Sequence, residues 1–274
     1  MVLSRQRHSL ERLLRKERVN AMNYKAMVLT MFHKLGYGIY KIGADDVYKI
    51  GTKEEYTIYP PYGFATYSPW FEAWFQVIYG KVRDRTLLEE HRCYIIYEFC
   101  HHCLHLEGDF AECGVYKGGS AFLISDTLLN NRINDKQVHL FDTFTGMPEM
   151  TKQDPASNAV WEGRFGDTSL SSVKEYLRNF TFVVFHPGLI PETLHAVENK
   201  KFAFVHIDVD LYKTHIDCCN FFYERMPRGG VMIFDDYGRD FFKASAKKAV
   251  DEFFDNKPET PIALHTGQSI VVKL

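Results

Sequence analysis

The stretch Asp109-Phe110-Ala111-Glu112-Cys113-Gly114-Val115-Tyr116-Lys117-Gly118-Gly119-Ser120 decides how the chain is read. An apolar run ends at Glu112–Cys113, glycines follow at 114, 118 and 119, and a helical stretch opens near Gly119. Glycines at those places allow a tight turn and let a ligand approach the backbone. In a doubly wound sheet the first such turn borders the cofactor crevice. The dinucleotide pattern G-x-G-x-x-G would need a glycine at 116, where Tyr116 stands, so a nucleotide-dependent oxidoreductase is the least favoured reading.

Downstream of this turn, short apolar runs alternate with helical stretches. The pattern predicts strands at 109–113, 137–142, 180–185, 202–207 and 230–234, with helices at 119–130, 169–178, 211–225 and 243–255. Such alternation implies right-handed crossovers and a parallel sheet with helices on both faces. Two closing strands near 261–265 and 269–273, split by Thr266-Gly267, are expected to pair antiparallel. Upstream, residues 70–79 and 86–106 read as helices. Residues 36–69, rich in Gly, Tyr and Pro, read as a connecting or lid region. The first 25 or so residues read as a basic amphipathic helix carrying Leu10, Leu13, Leu14 and Val19. That arm would pack on the body or on a second copy of the chain, a homodimer; membrane or nucleic-acid contact are its alternatives. The expected organisation is an α/β domain over 106–274 behind a mainly helical extension over 1–105.

With 274 residues, 46% of them hydrophobic, the chain has enough apolar material for one large core and is not a disordered polymer. Thirty-three Lys and Arg face 35 Asp and Glu, so no global basic field exists to hold nucleic acid or an anionic membrane. No run approaches the roughly 18 apolar residues of a membrane span. The N-terminus is too charged for a signal peptide. Cys93, Cys100, Cys103, Cys113, Cys218 and Cys219 sit in regular apolar stretches, which favours free thiols in a reducing cytoplasm. Cys100-His101-His102-Cys103 lacks a second ligand pair and reads as a packed helix rather than a zinc site.

Acids terminate three of the predicted strands. Asp142, after Val138-His139-Leu140-Phe141 and before Thr143-Phe144, is placed to accept hydrogen bonds from ribose hydroxyls. Asp167 would contact an adenine or cap the helix starting at Ser169. Asp208 ends one strand and Asp235-Asp236 the next, so a parallel sheet brings all three carboxylates to one edge, beside the glycine turn. With no basic residue in either motif they must share a proton or surround a cation. Oxygen ligands favour Mg²⁺, with Mn²⁺ or Ca²⁺ as alternatives.

These residues resemble the macrocin O-methyltransferase family, Mg²⁺-dependent sugar O-methyltransferases of macrolide and aminocoumarin pathways. The resemblance is carried by 111–120, by Phe141-Asp142-Thr143-Phe144-Thr145-Gly146-Met147-Pro148-Glu149, by His206-Ile207-Asp208-Val209-Asp210-Leu211-Tyr212, by Gly229-Gly230 through Asp235-Asp236-Tyr237-Gly238, and by Ala249-Val250-Asp251-Glu252-Phe253. It covers about 107–273 and departs at Val209, where the family has glycine. It implies a class I methyltransferase fold, a Rossmann-like doubly wound sheet. It also implies S-adenosylmethionine bound through Glu112, Gly114, Tyr116, Gly118, Gly119, Ser120, Asp142, Thr143, Phe144, Asp167 and Asp208. The divalent ion would be held by Asp208, Asp235 and Asp236.

Methyl transfer to an alkyl hydroxyl needs a base. Asp208 is the expected one, with Lys213 as its rival if burial lowers its pKa. His206 is read as a core residue on the side away from Asp208. The expected acceptor is a small hydroxylated molecule containing a sugar. A catechol-type phenol is the alternative, and a catalytically lost binding module is the alternative of another class.

Overall fold

The computed structural model describes residues 37–42, 47–52, 56–59, 64–152, 154, 161–239 and 242–274, with backbone only before residue 67. The helix expected over the first 25 residues lies outside these. The chain divides into two compact units, Met1–Phe75 and Gln76–Leu274.

In the first unit, strand β1 (Tyr37–Ile42) pairs antiparallel with β2 (Val47–Thr52), and β3 (Tyr56–Tyr59) with β4 (Phe64–Tyr67). The 36–69 stretch therefore contains strands where a connection was expected, and the described part of the N-terminal extension is not mainly helical before residue 69. The composition explains the difference. Tyr, Ile, Val and Thr favour extended backbone, and strands of four to six residues are too short to display a long period.

The second unit holds a seven-stranded sheet in the order β10-β11-β9-β8-β5-β6-β7. Its strands are β5 (Asp109–Cys113), β6 (Val138–Asp142), β7 (Val183–Pro187), β8 (Phe202–Ile207), β9 (Val231–Phe234), β10 (Ile262–Ala263) and β11 (Ser269–Val272). Strands β5 to β9 run parallel, while β11 runs antiparallel to both β9 and β10. The helices are α1 (Ala73–Gly80, which begins in the first unit), α2 (Glu90–Cys103), α3 (Gly119–Asn130), α4 (Leu170–Tyr176), α5 (Tyr212–Tyr223) and α6 (Lys248–Phe254). A π-helical turn, Lys243–Lys247, leads into α6. Helix α2, grouped with the extension by sequence, falls in the second unit. Strand β7 starts at Val183 rather than 180, because Phe180 still closes the turn after α4 through a bond from its amide to the Leu177 carbonyl, 2.9 Å.

Phe141, Phe202, Val205, Ile207, Phe222, Phe234 and Phe254 pack in the main core. Full burial of such side chains contributes about 1.5–3 kcal/mol each. All six cysteines are free and buried. Among the described residues no helix is long and apolar enough to cross a membrane.

The strand order reverses at β5, with β6 on one side and β8 on the other, which opens a crevice at the C-terminal edge. Register aligns the strand ends: Cys113 lies opposite Ile207, and Ile207 opposite Phe234. The ladder continues one residue further, from the Asp208 amide to the Cys113 carbonyl (2.8 Å) and from the Asp235 amide to the Ile207 carbonyl (3.0 Å). Gly114 has φ +85°, and a Cβ there would lie 1.8 Å from the Asp208 carbonyl oxygen. No side chain fits between these two strand ends. Gly114→Ala should therefore lower the melting temperature by at least about 8 °C, or prevent folding, because the clash is with main chain. Gly80→Ala, where a Cβ meets nothing within 4 Å, should leave it unchanged or slightly higher. Thermal unfolding of the two variants checks this.

Candidate active site

A cavity of about 350 Å³ occupies the crevice. Gly114, Tyr116, Ser120, Asp142 and Thr143 line one side, and Asp208, Asp210, Asp235 and Asp236 another.

The glycine turn is held from β6. Asp142 Oδ2 accepts the amides of Val115 (2.6 Å) and Tyr116 (2.9 Å), and Oδ1 accepts the amide of Phe144 (2.7 Å). Tyr116 and Phe144 both have left-handed backbone, φ 51° and 55°, a conformation that costs a non-glycine residue free energy. The Asp142 carboxylate offsets that cost at both. Tyr116 is fixed further by its hydroxyl, which donates to Asp167 (3.1 Å), and by its carbonyl, which accepts from Thr168 Oγ1 (2.6 Å). Asp167 also binds Lys117 Nζ at 2.5 Å and is exposed. It does not cap α4: Ser169 does, accepting the Ser172 amide at 3.2 Å.

Other sequence-predicted residues stand back from the cavity. Gly118 is the left-handed N-cap of α3, and Gly119 lets the Arg85 backbone approach; a Cβ there would lie 2.8 Å away. Phe144 is buried. Glu112 is fully buried and binds His206 Nδ1 at 2.9 Å, while its Oε2 has no hydrogen-bond partner. Lys213 lies exposed on α5, paired with Asp217 Oδ2 at 2.7 Å. The burial that would make it a base is absent.

The acids at the strand ends do come together, with companions that the sequence reading missed. His206 is buried, but on Asp208's side, because residues i and i+2 of a strand share a face. Ligand atoms of His206, Asp208 and Asp235 lie within 4.8 Å of one another. Asp235 Oδ1 accepts from Gln268 Nε2 (2.9 Å) and faces His206 Nε2 at 3.5 Å. Asp210, with φ 58°, hydrogen-bonds Asp236. A buried cation in the cluster is Arg92 of α2, 5% exposed. Its Nη2 is in ion contact with Asp235 Oδ2, 3.3 Å from Asp236 Oδ1 and 3.1 Å from the Asp235 carbonyl. Period-2 alternation could have found His206. Nothing local could have found Arg92, which is 143 positions from Asp235.

Burial, and then the charge of Asp236, push the Asp208 carboxyl up to about 7. Burial, Asp236 and Asp208 push Asp210 well above the ordinary carboxylate value. Four acids thus meet one buried arginine, and protons make up part of the deficit. A raised carboxyl pKa means that the folded state keeps a proton the unfolded chain releases. Stability is then lost as pH rises from about 4 through 7. In ion-free protein, Asp208→Asn should raise the melting temperature relative to the parent, and by about 5 °C more at pH 8 than at pH 5. Calorimetric scans in EDTA at the two pH values measure it; an unchanged gap contradicts the assignment.

A family model described as macrocin O-methyltransferase matches residues 99–263, more than half of the chain. The chain is 29% identical over 157 residues to the demethyldecarbamoylnovobiocin O-methyltransferase of Streptomyces niveus, covering 54% of this chain and 59% of that protein. It is 30% identical over 141 residues to the 8-demethyl-8-(2,3-dimethoxy-alpha-L-rhamnosyl)-tetracenomycin-C 4'-O-methyltransferase of Streptomyces olivaceus, covering 48% and 54%. The chain therefore spans less than two thirds of the length of these curated relatives. Among solved structures the O-methyltransferase NovP shares the fold, with TM-score 0.62 and 24% identity over 69% of this chain and 82% of that one.

Proposed function

We propose a function from a plain premise: this chain belongs to the macrocin O-methyltransferase family. It transfers the methyl group of S-adenosylmethionine to a hydroxyl of a sugar or other polyhydroxylated small molecule. The observation that carries this reading is the contact of the glycine turn with the acid cluster. The Gly114 backbone abuts the Asp208 carbonyl, so a donor on the turn and an acceptor at the acids share one cavity.

In this reading Gly114, Tyr116 and Ser120 receive the cofactor, and Asp142 accepts ribose hydroxyls on lone pairs that the turn amides leave free. Glu112 acts from behind by holding His206, and Asp167 by bracing Tyr116 and Lys117. Asp208 takes the acceptor's hydroxyl proton, since it lines the cavity with a carboxyl tuned towards neutral pH. Lys213, exposed and paired with Asp217, leaves that role to Asp208. The residues that line the cavity around Asp208 would orient the hydroxyl, which supplies part of the rate.

The donor set also fits a divalent ion. His206, Asp208 and Asp235 bring ligand atoms within 4.8 Å of one another, Asp236 adds a carboxylate beside them, and the negative charge exceeds what Arg92 neutralises. Asp208, Asp235 and Asp236 would hold Mg²⁺ or Mn²⁺, which when bound lowers the pKa of a coordinated hydroxyl. The six buried free thiols suit a reducing cytoplasm.

A methylation screen with labelled S-adenosylmethionine, run on glycosides against catechols, tests the acceptor class; glycosides should react and catechols should not. Asp208→Asn should reduce turnover at least about 1000-fold while calorimetric cofactor affinity stays within about threefold. Full turnover in excess EDTA would remove the ion from this reading.

A further inference from the structure

Helix α2 delivers one side chain to the acid cluster. Arg92 lies in the first turn, three residues after the N-cap Glu89, and crosses to the ends of β8 and β9. Its guanidinium is buried but incompletely satisfied. Nη2 serves Asp235 and Asp236, whereas Nε has no acceptor. A buried donor left without a partner carries a desolvation cost. Arg92 also sits where the carboxylates of Asp235 and Asp236 converge, beside Asp208, which is where a divalent ion would be held. Two cations within a few ångströms in a site shielded from water repel strongly.

We propose that Arg92 is the resident counter-ion of this acidic cluster, and that a divalent ion enters as the guanidinium withdraws to Glu89. The inference rests on the metal reading above. Glu89 is the available landing place: its Oε2 is already 3.7 Å from Arg92 Nη1. Glu89 also holds Arg239, another residue of the cavity wall, at 3.0 and 3.1 Å. Ion loading would thus redistribute two arginines around one glutamate at the rim of the cavity. The start of α2 becomes the part of the fold that senses whether the site is loaded. An arginine that merely pins α2 to the sheet would have the opposite signature, since its removal would loosen the acids and weaken ion binding.

Removing the guanidinium leaves the Asp235 carboxylate buried without its cation, and an added ion then supplies it. Calorimetric titration of Mn²⁺ into cofactor-free protein should show Arg92→Gln binding at least about tenfold more tightly than the parent, and Arg92→Lys within about threefold of it. Equal or weaker binding by Arg92→Gln overturns the proposal. A second measurement does not depend on that variant folding. In the parent protein labelled with ¹⁵N-arginine, one Nε–H resonance, identified by its absence from Arg92→Lys, should shift during a Mg²⁺ titration with the same midpoint as the heat. A resonance that stays fixed while Mg²⁺ binds overturns the proposal. Binding in the parent with neither effect removes this inference and leaves the metal reading standing. No binding in parent or variant removes both.

Discussion

The contact between the Gly114 backbone and the Asp208 carbonyl is the constraint on which the site depends. It exists because β5 and β8 are hydrogen-bonded neighbours whose register carries the ladder one residue past the strands, from the Asp208 amide to the Cys113 carbonyl. With the two chain segments that close, the turn that follows β5 and the acid that follows β8 form one wall. Asp142 then secures the turn from the opposite neighbour, β6, through three amides. The cavity is thereby framed by main chain on a rigid sheet, with the acids that line it placed at the strand ends.

Charge is the second constraint. Asp208, Asp210, Asp235 and Asp236 crowd a region that also contains His206 and the buried Arg92. Such a cluster is stable only if protons, arginine or a metal ion discharge it, and these agents compete for the same oxygens. Chemistry at the site and electrostatic stability of the fold are therefore the same problem here. A group poised to accept a proton near neutrality is one whose ionisation the fold resists.

Much of this was legible beforehand. The alternation of apolar runs and helical stretches after 109 placed five parallel strands and their crossovers, because a strand buried on both faces must be apolar throughout. Strand ends then located Asp142, Asp208, Asp235 and Asp236. The short hairpins before residue 68 are not legible in the sequence, since strands of four to six residues leave no period to detect. His206 was legible in principle, two residues before Asp208, and needed only the correct sense of the alternation. Lys213 looked suitable because it follows Asp208 closely, but one turn further along α5 stands Asp217, and that pairing faces outward.

The sequence alone determined which residues end the strands and that one edge of the sheet would be acidic, because side-chain direction and strand polarity are local consequences of chain order. Only the tertiary structure decided what balances that acidity. Arg92 belongs to a helix with no shared motif with β8 or β9, and it meets them because α2 packs across the sheet. Its role comes from burial and proximity, which are properties of the assembled fold and leave no mark in the spacing of residues.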